Sequence, residues 1–344
     1  MDEDDILWML VFNTPEGLAA PMIAPVHSGH QLDHYLIEGL AARSGMASIY
    51  RAKDMRTGRP VAIKVPHPEM ESDLLFFERF RREEEIGAKL DHPSVMKVFA
   101  DDDRSRTYMV MEWVEGRLLR QVLNEQRKLP AERAVDLALA ICDALDYIHR
   151  NGVVHRDLKP ENIIIDAQGR IKLIDFGIAA KAGARRITFA RLSETMGTPD
   201  YISPEQIKGK RGDARSDLYA LGVMLYEMLT GQAPFQGPNP FAIMNDRLSN
   251  NPVPPREVDP TISAQLQEII YRALERDPRN RYASAHEFAW DLQHQDQVGV
   301  PERVELRDWK LRRPPWTRRI LSYVGVVLVP VVVFGLLLLV AAHK

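Results

Sequence analysis

Cysteine is nearly absent from the chain, because Cys142 is the only one in 344 residues. No disulfide can form within the chain, which excludes the disulfide-stapled secreted domains and fits a reducing compartment. A large excess of either charge is also absent, because 45 Lys and Arg residues nearly balance 48 Asp and Glu residues and give a net charge of only −3. This balance gives no general attraction to nucleic acid, and no nucleic-acid partner is expected. Cys142 lies in an apolar stretch of helical period, which predicts a buried, unreactive thiol.

A secretory signal is absent from the first residues. Residues 2–5 are all acidic and the apolar run Ile6–Phe12 is short, whereas a signal peptide needs a basic start and a longer apolar region. Three prolines interrupt the sequence that follows. Residues 1–33 are therefore predicted to be an arm or linker.

One long apolar run is present, because residues 320–342 contain 23 residues without a charged side chain. As a helix, with a rise of about 1.5 Å per residue, this run spans roughly 35 Å, more than the ~30 Å of a hydrocarbon core. Its length argues against the alternative, a buried core segment. Basic residues and Trp before the run favour a single transmembrane helix in contact with membrane lipid, with the preceding chain in the cytoplasm. They lie in a linker of residues 298–319 and are Arg307, Trp309, Lys310, Arg312, Arg313, Trp316, Arg318 and Arg319.

The middle of the chain changes from strand-like to helical segments. The first part has short stretches rich in β-branched and aromatic residues, separated by turn residues, and one stretch of helical period. After Gly116 the helical period dominates. The expected fold class is α+β, with a small β-sheet lobe plus one helix and a large helical lobe. The predicted strands are 48–52, 60–65 and 107–111, and the predicted helices are 69–90, 130–150, 214–230 and one that starts at 284.

Two short motifs indicate the chemistry. The residues HRDLKPEN at 155–162 precede a predicted strand, and an apolar strand at 171–174 ends in DFG at 175–177. In this order the sequence resembles the protein kinase family, and within it the bacterial enzymes that are similar to eukaryotic Ser/Thr kinases. The resemblance covers residues 34–297. It implies a bilobal kinase fold with a small lobe at 34–110, a hinge at 111–116 and a helical lobe at 117–297.

The residues of these motifs suit phosphoryl transfer from ATP. Asn162 and Asp175 carry hard oxygen atoms that suit Mg²⁺, with Mn²⁺ as the alternative metal. Asp157 is placed to accept the proton of an attacking hydroxyl, and Lys159 supplies positive charge for the transferring phosphate. A lysine at this place resembles the Ser/Thr-directed branch of the family, and Thr198 matches the threonine that joins it.

The smaller lobe supplies the other predicted ATP contacts. Lys64, in a VAIK run that also contains Ala62, matches the family's lysine for the α and β phosphates, although alone it would be an ordinary solvated lysine. Glu83 shares the inward stripe of the predicted helix and is the expected ion-pair partner. Glu84 and Glu85 are expected to be solvated. The adenine contacts that the resemblance implies are Met111, Glu112 and Val114.

The loop that covers the phosphates departs from the family pattern. Ala42, Ser44 and Ala47 stand where glycines are expected, and Gly45 lies at an intermediate position. These small residues still allow the backbone to approach phosphate, so all four are predicted to bind ATP. A non-Gly residue forced to positive φ costs about 1–2 kcal/mol. We expect this cost to weaken ATP binding about tenfold.

Three further residues have predicted roles in organising the helical lobe. Glu205, in an SPE run that replaces the family's APE, is expected to form a buried ion pair with Arg281, and Asp217 is expected to brace the catalytic loop.

Arg156 resembles the arginine of kinases whose activation segment is ordered by phosphorylation. The candidate acceptors are Thr188, Ser193 and Thr195, of which Thr195 lies nearest Thr198 and is preferred.

The expected function is a membrane-tethered, ATP-dependent protein Ser/Thr kinase that acts on protein substrates and phosphorylates its own activation segment. The rival is a pseudokinase, an ATP-binding scaffold without phosphotransfer. The irregular glycine loop favours the rival, whereas the full set of chemistry residues favours the enzyme. Two further partners are expected as possibilities that the sequence leaves open, a phosphatase and a second copy of the chain in a homodimer.

Overall fold

The computed structural model of the chain describes residues 26–70, 73–100, 104–175 and 199–301. These residues divide into two compact units, of which the first ends at Glu115 and the second begins at Gly116. Within the described ranges, no helix combines the length and the apolar character needed to cross a bilayer. The predicted transmembrane segment 320–342 lies outside them.

An antiparallel sheet of six strands forms most of the first unit, and its strands follow the order of the chain except that the sixth lies between the fourth and the fifth. Its apolar side chains, among them Ile37, Ala52 and Ile63, alternate along the strands and form one buried core. Leu32 joins this core, so the last residues of the predicted arm 1–33 contribute a strand. The strands are β1 (Gln31–Leu32), β2 (Tyr35–Arg43), β3 (Ala47–Asp54), β4 (Pro60–Pro66), β5 (Val98–Phe99) and β6 (Met109–Glu112).

One α-helix, α1 (Leu74–Gly87), belongs to the first unit. It begins where the Asp73 carboxylate accepts hydrogen bonds from the backbone of Leu75 and Phe76, at 3.0 and 3.1 Å. This side-chain cap satisfies two amides that have no partner inside the helix. The helix is therefore shorter than the predicted 69–90, and a 3-10 turn at Pro68–Met70 comes before it.

The second unit is mostly helical and contains one small sheet of three strands, which lie in chain order. Its central helix, α5 (Ala214–Thr230), is apolar nearly all round and almost completely buried, and Gly231 caps its end with a φ of 73°. The strands are β7 (Arg117–Leu118), β8 (Ile163–Ile165) and β9 (Ile171–Leu173). The helices are α2 (Leu119–Gln126), α3 (Ala131–Arg150), α4 (Pro204–Ile207), α5 (Ala214–Thr230), α6 (Pro240–Ser249), α7 (Pro255–Val258), α8 (Ala264–Ala273) and α9 (Ala285–Gln293).

A buried ion pair joins two distant parts of the second unit, as the sequence predicted. Arg281 donates from both terminal nitrogens to the Glu205 carboxylate, at 2.8 and 2.7 Å, and the two residues are only 3% and 8% exposed. Burial alone would raise the pKa of Glu205, but the hydrogen bonds and charge of Arg281 outweigh it, so the pKa is lowered. Ser216 donates a third bond at 2.6 Å. Cys142 is also buried as predicted, and burial raises the pKa of its thiol.

Replacing Arg281 with leucine is expected to destabilise the protein by about 3–5 kcal/mol at pH 7, because it leaves the Glu205 carboxylate buried without its cation. The lowered pKa of Glu205 means that the pair contributes stability above the carboxyl group's ordinary pKa, and this contribution is lost as pH falls. Urea unfolding at pH 7 and pH 4 measures both effects, with a smaller difference between variant and wild type at pH 4. The double variant Glu205→Gln/Arg281→Leu should lose less stability than Arg281→Leu alone, and an equal loss would contradict this reading.

Candidate active site

The first unit contains the predicted pair of Lys64 and Glu83. Lys64 lies on the central strand β4, and its Nζ is 3.0 Å from Glu83 Oε1 on α1. Glu83 is only 5% exposed, so a cation is required to keep its carboxylate charged at low cost. The predicted ion pair is therefore present. Glu84 differs from its prediction, because it pairs with Arg104 and is largely buried, whereas Glu85 is exposed.

The predicted adenine contacts surround the end of β6. Met111 is buried and pairs in register with Ala62 of β4. The Glu112 backbone nitrogen donates to the Lys97 carbonyl at 2.9 Å, and its side chain accepts from the Lys97 nitrogen at 3.2 Å. The strand ends at Glu112, so Val114 lies beyond it with its backbone outside the sheet. Such a backbone can present hydrogen-bonding groups to a ligand.

The turn between β2 and β3 contains Ser44 and Gly45, and the other two residues predicted to cover phosphate, Ala42 and Ala47, lie on the two flanking strands. Ser44 closes this turn, because its hydroxyl donates to the Ala47 carbonyl at 3.0 Å and accepts from the Ala47 nitrogen at 3.1 Å. None of Ala42, Ser44, Gly45 and Ala47 has a positive φ. The expectation of a strained backbone at these positions is therefore wrong, and the predicted tenfold weaker ATP affinity loses its structural reason. Where the family has a conformationally flexible glycine, this chain has a serine whose side chain stabilises the turn by hydrogen bonds.

Restoring glycine at Ala42 and Ala47 together is expected to change the KM for ATP by less than about threefold, since no strained backbone is relieved. Steady-state kinetics at varied ATP concentration measures this. Ser44→Gly serves as the contrasting variant, because it removes the hydroxyl bonds that close the turn and should raise the KM further. A tenfold fall in KM for the Ala42→Gly/Ala47→Gly variant would restore the strain interpretation.

The second unit carries the HRDLKPEN residues in a hydrogen-bonded loop. Lys159 Nζ lies 2.7 Å from Asp157 Oδ2, so a cation accompanies the carboxylate. The Asn162 amide nitrogen donates to the Asp157 carbonyl at 2.7 Å and lies 3.4 Å from Asp157 Oδ2. Three predicted residues thus meet around one carboxylate, which is the arrangement expected of a base that orients a hydroxyl.

The backbone before Asp157 has an unusual conformation. Arg156 has a φ of 66°, in the left-handed region that costs a non-Gly residue about 1–2 kcal/mol. The almost fully buried Asp217 holds this turn, because its two carboxylate oxygens accept from the backbone nitrogens of His155 and Arg156 at 2.9 and 2.7 Å. His149 Nε2 lies 2.8 Å from the same carboxylate. The bracing role predicted for Asp217 is present.

Asn162 and Asp175 are brought close by a backbone hydrogen bond, in which the Ile174 nitrogen donates to the Asn162 carbonyl at 2.9 Å. The Asn162 amide nitrogen is committed to Asp157, which leaves the amide oxygen as the atom that can bind a cation. Asp175 has a φ of 52°, so the chain turns sharply at this carboxylate. One carboxylate and one amide oxygen fit Mg²⁺, which usually keeps several waters and binds substrate phosphates. Within the described ranges no cluster of three His, Cys, Asp or Glu residues competes as a metal site.

Sequence reasoning missed a network that ties the catalytic loop to α2 and α5. Arg120 donates to Glu161 at 2.9 Å and to Glu227 at 2.8 Å, and the Tyr201 hydroxyl contacts both Arg120 and Glu227. Burial raises the pKa of Tyr201 and the Glu227 carboxylate raises it further, so the hydroxyl stays protonated. No motif flags Arg120, because an isolated arginine on an amphipathic helix has the pattern of a surface residue.

The remaining predicted site residues lie outside the described part of the chain. These are Thr198 and the candidate phosphorylation sites Thr188, Ser193 and Thr195.

Residues 43–292 match the sequence profile of the protein kinase domain family. The chain belongs to the protein kinase family. The kinase domain is 41% identical over 264 residues to the probable serine/threonine-protein kinase SCO3848 of Streptomyces coelicolor, and 38% identical over 268 residues to serine/threonine-protein kinase PknB of Mycobacterium leprae. The matches cover 75% and 76% of this chain but only 39% and 43% of those proteins. The chain thus spans about two fifths of the length of the curated relatives it matches.

Solved kinase structures share the fold of the kinase domain. The crystal structure of the Mycobacterium tuberculosis PknI kinase domain, C20A mutant, superposes with a TM-score of 0.62 at 28% identity, covering 79% of this chain and all of that one. Rad53 1-466 in complex with AMP-PNP gives a TM-score of 0.60 at 27% identity, covering 74% of this chain and 64% of that one. The predicted bilobal fold, with a β-sheet lobe and a helical lobe, is confirmed.

Proposed function

We propose that this chain is an ATP-dependent protein serine/threonine kinase. The observation that carries the proposal is the loop in which Asp157 is bonded to both Lys159 and Asn162, because this loop holds a base, a cation and a metal ligand together. Relatives that are 38–41% identical over three quarters of the chain are named as serine/threonine kinases. The irregular phosphate loop, which favoured a pseudokinase, has no left-handed residue that would impair it.

The kinase residues divide the chemistry among themselves. Asp157 accepts the proton of a Ser or Thr hydroxyl while the hydroxyl oxygen forms a bond to the γ-phosphorus, and the bond to the β–γ bridging oxygen breaks to release ADP. Lys159 offsets charge on the phosphoryl group in transit, and Lys64, oriented by Glu83, binds the α and β phosphates. Asn162 and Asp175 would hold Mg²⁺, or Mn²⁺, which neutralises phosphate charge when bound.

The activation segment is the proposed point of regulation. Autophosphorylation at Thr195, or at Thr188 or Ser193, would add about two negative charges that a nearby arginine can bind. Arg156 is the proposed partner, because it lies beside the catalytic Asp157 in a turn held by Asp217. Mass spectrometry after incubation with ATP and Mg²⁺ identifies the acceptor, and replacing that residue with alanine should reduce activity.

Membrane anchoring by residues 320–342 is a further part of the proposal, supported by their length without a charged residue and by the basic residues before them. The kinase domain would face the cytoplasm. The full chain should then remain with membranes after alkaline carbonate extraction, whereas a variant with Leu337 and Leu338 both replaced by arginine should be released. Equal release of the two proteins from the membrane fraction would contradict anchoring by residues 320–342.

Phosphoproteomics of cells that express wild type or Asp175→Ala tests the proposed activity and finds protein substrates together. Phosphoserine and phosphothreonine sites that disappear in the variant are expected. Identical phosphoproteomes from equal amounts of folded protein would favour the pseudokinase. A phosphatase partner and a homodimer stay predictions, for which co-purification and oligomeric mass are the tests.

A further inference from the structure

A chain of hydrogen bonds connects the SPE motif with the catalytic loop. Gln206, on α4, accepts from the Ser203 hydroxyl at 2.9 Å and from the Ser203 backbone nitrogen at 3.1 Å. The other end of the same amide, Nε2, donates to the Arg156 carbonyl at 3.0 Å. Ser203 and Gln206 are 0% and 3% exposed, so water does not compete for these bonds.

The orientation of the Gln206 amide is fixed by its partners. A backbone nitrogen can only donate, so the atom facing Ser203 must be the oxygen of the amide. A carbonyl can only accept, so the atom facing Arg156 must be the nitrogen. A flipped amide would place donor against donor at one end and acceptor against acceptor at the other. The hydroxyl of Ser203, which an alanine at this place would lack, strengthens this orientation.

The Arg156 carbonyl belongs to the peptide group that leads into Asp157. Arg156 is in the left-handed region, and such a backbone persists only when several surrounding contacts fix it. Asp217 holds the turn through the nitrogens of His155 and Arg156. Gln206 holds the next peptide group by donating to the Arg156 carbonyl oxygen. The side chains of Asp217 and Gln206 together therefore fix the peptide groups on both sides of Arg156.

We propose that Gln206 is a positioning residue for Asp157, and that Ser203 orients the Gln206 amide for this task. The inference rests on the proposed kinase function and adds to it a link between the end of the activation segment and the base. Helix capping alone explains the bond from the Ser203 nitrogen to Gln206, but it does not explain the bond from Nε2 to Arg156.

The isosteric variant Gln206→Glu tests the link. The introduced carboxylate still accepts from Ser203 but faces the Arg156 carbonyl with an acceptor, so the peptide should turn away and Asp157 should move. We expect kcat to fall about 10–100-fold, with the KM for ATP within about threefold of wild type, because nucleotide contacts are unaffected. The ratio of variant to wild-type kcat should rise toward acid pH, since a protonated carboxyl can again donate.

Gln121→Glu is the matched control. Gln121 also lies in the first turn of a helix and accepts from a backbone nitrogen, that of Leu118 at 3.0 Å, but its side chain is exposed and that bond stays within its own helix end. Its kcat should equal that of wild type. Gln206→Met, which removes the donor without adding charge, provides a second test if Gln206→Glu folds poorly by thermal melting.

The outcomes separate the two levels of the account. If the wild type is active and a folded Gln206→Glu or Gln206→Met variant has a kcat within twofold of it, the positioning role is overturned and the kinase function stays intact. Inactive, folded, ATP-binding wild type would overturn the proposed function itself. A parallel fall in kcat for Gln121→Glu would show that the effect is general to helix capping, which also contradicts the proposal.

Discussion

Replacing Asp157 with asparagine is expected to lower kcat for phosphotransfer by about 10²–10⁴-fold, the range that a positioned general base contributes. The amide keeps the size of the carboxylate but cannot accept the hydroxyl proton. It also removes the carboxylate that Lys159 contacts at 2.7 Å. ATP binding should change little, because the residues proposed to hold the nucleotide are untouched. Initial rates with a protein acceptor, together with an ATP titration, measure the two quantities.

A partly buried aspartate outside the catalytic loop supplies the control for this change. Asp146 lies on α3 and pairs with the exposed Arg150 at 2.9 Å, and it has no part in the catalytic loop. Asp146→Asn should keep the wild-type kcat, since a helical i,i+4 ion pair with an exposed arginine contributes little. An unchanged rate for Asp157→Asn would show that the loop does not contain the base.

The second large effect is expected at Lys64. Lys64→Met should lower kcat/KM for ATP by about 10²–10³-fold, as does the loss of one charged or hydrogen-bonding group that stabilises a transition state. Glu83→Gln should be milder, about tenfold, because the cation remains and only its orienting partner at 3.0 Å loses its charge. Steady-state kinetics at varied ATP measures both. Urea unfolding of each variant separates a chemical effect from lost stability.

Lys53→Met is the matched control for this pair, because Lys53 lies on the neighbouring strand β3 with an exposed side chain. It should leave kcat/KM unchanged. A larger defect for Glu83→Gln than for Lys64→Met would contradict the roles given to the two residues.

The residues closest to the chemistry could be predicted from the sequence because their order and spacing are specific. Asp157, Lys159 and Asn162 lie within one short loop, and their contacts follow from local backbone geometry. Glu83 was predictable from the inward stripe of its helix, which places it on the buried face with Phe80. Its neighbour Glu84 was not, because its partner Arg104 comes from a separate loop.

Other features depend on contacts or angles that no local pattern contains. Arg120 meets Glu161 and Glu227 across 41 and 107 residues of chain, and only the packed helices bring them together. The phosphate loop was predicted to carry backbone strain because glycines are missing. The Ser44 hydroxyl instead stabilises a turn without positive φ. The identity of a residue does not by itself predict which backbone group its side chain will bind.

The central claim is that this chain transfers the γ-phosphate of ATP to serine or threonine hydroxyls. The most direct measurement is phosphoamino-acid analysis of the purified full chain after incubation with γ-labelled ATP, Mg²⁺ and a mixed protein acceptor. The account predicts labelled phosphoserine or phosphothreonine with wild type, and none above background with Asp157→Asn. Equal labelling by the two proteins, or no labelling by a folded wild type that binds ATP, would contradict it.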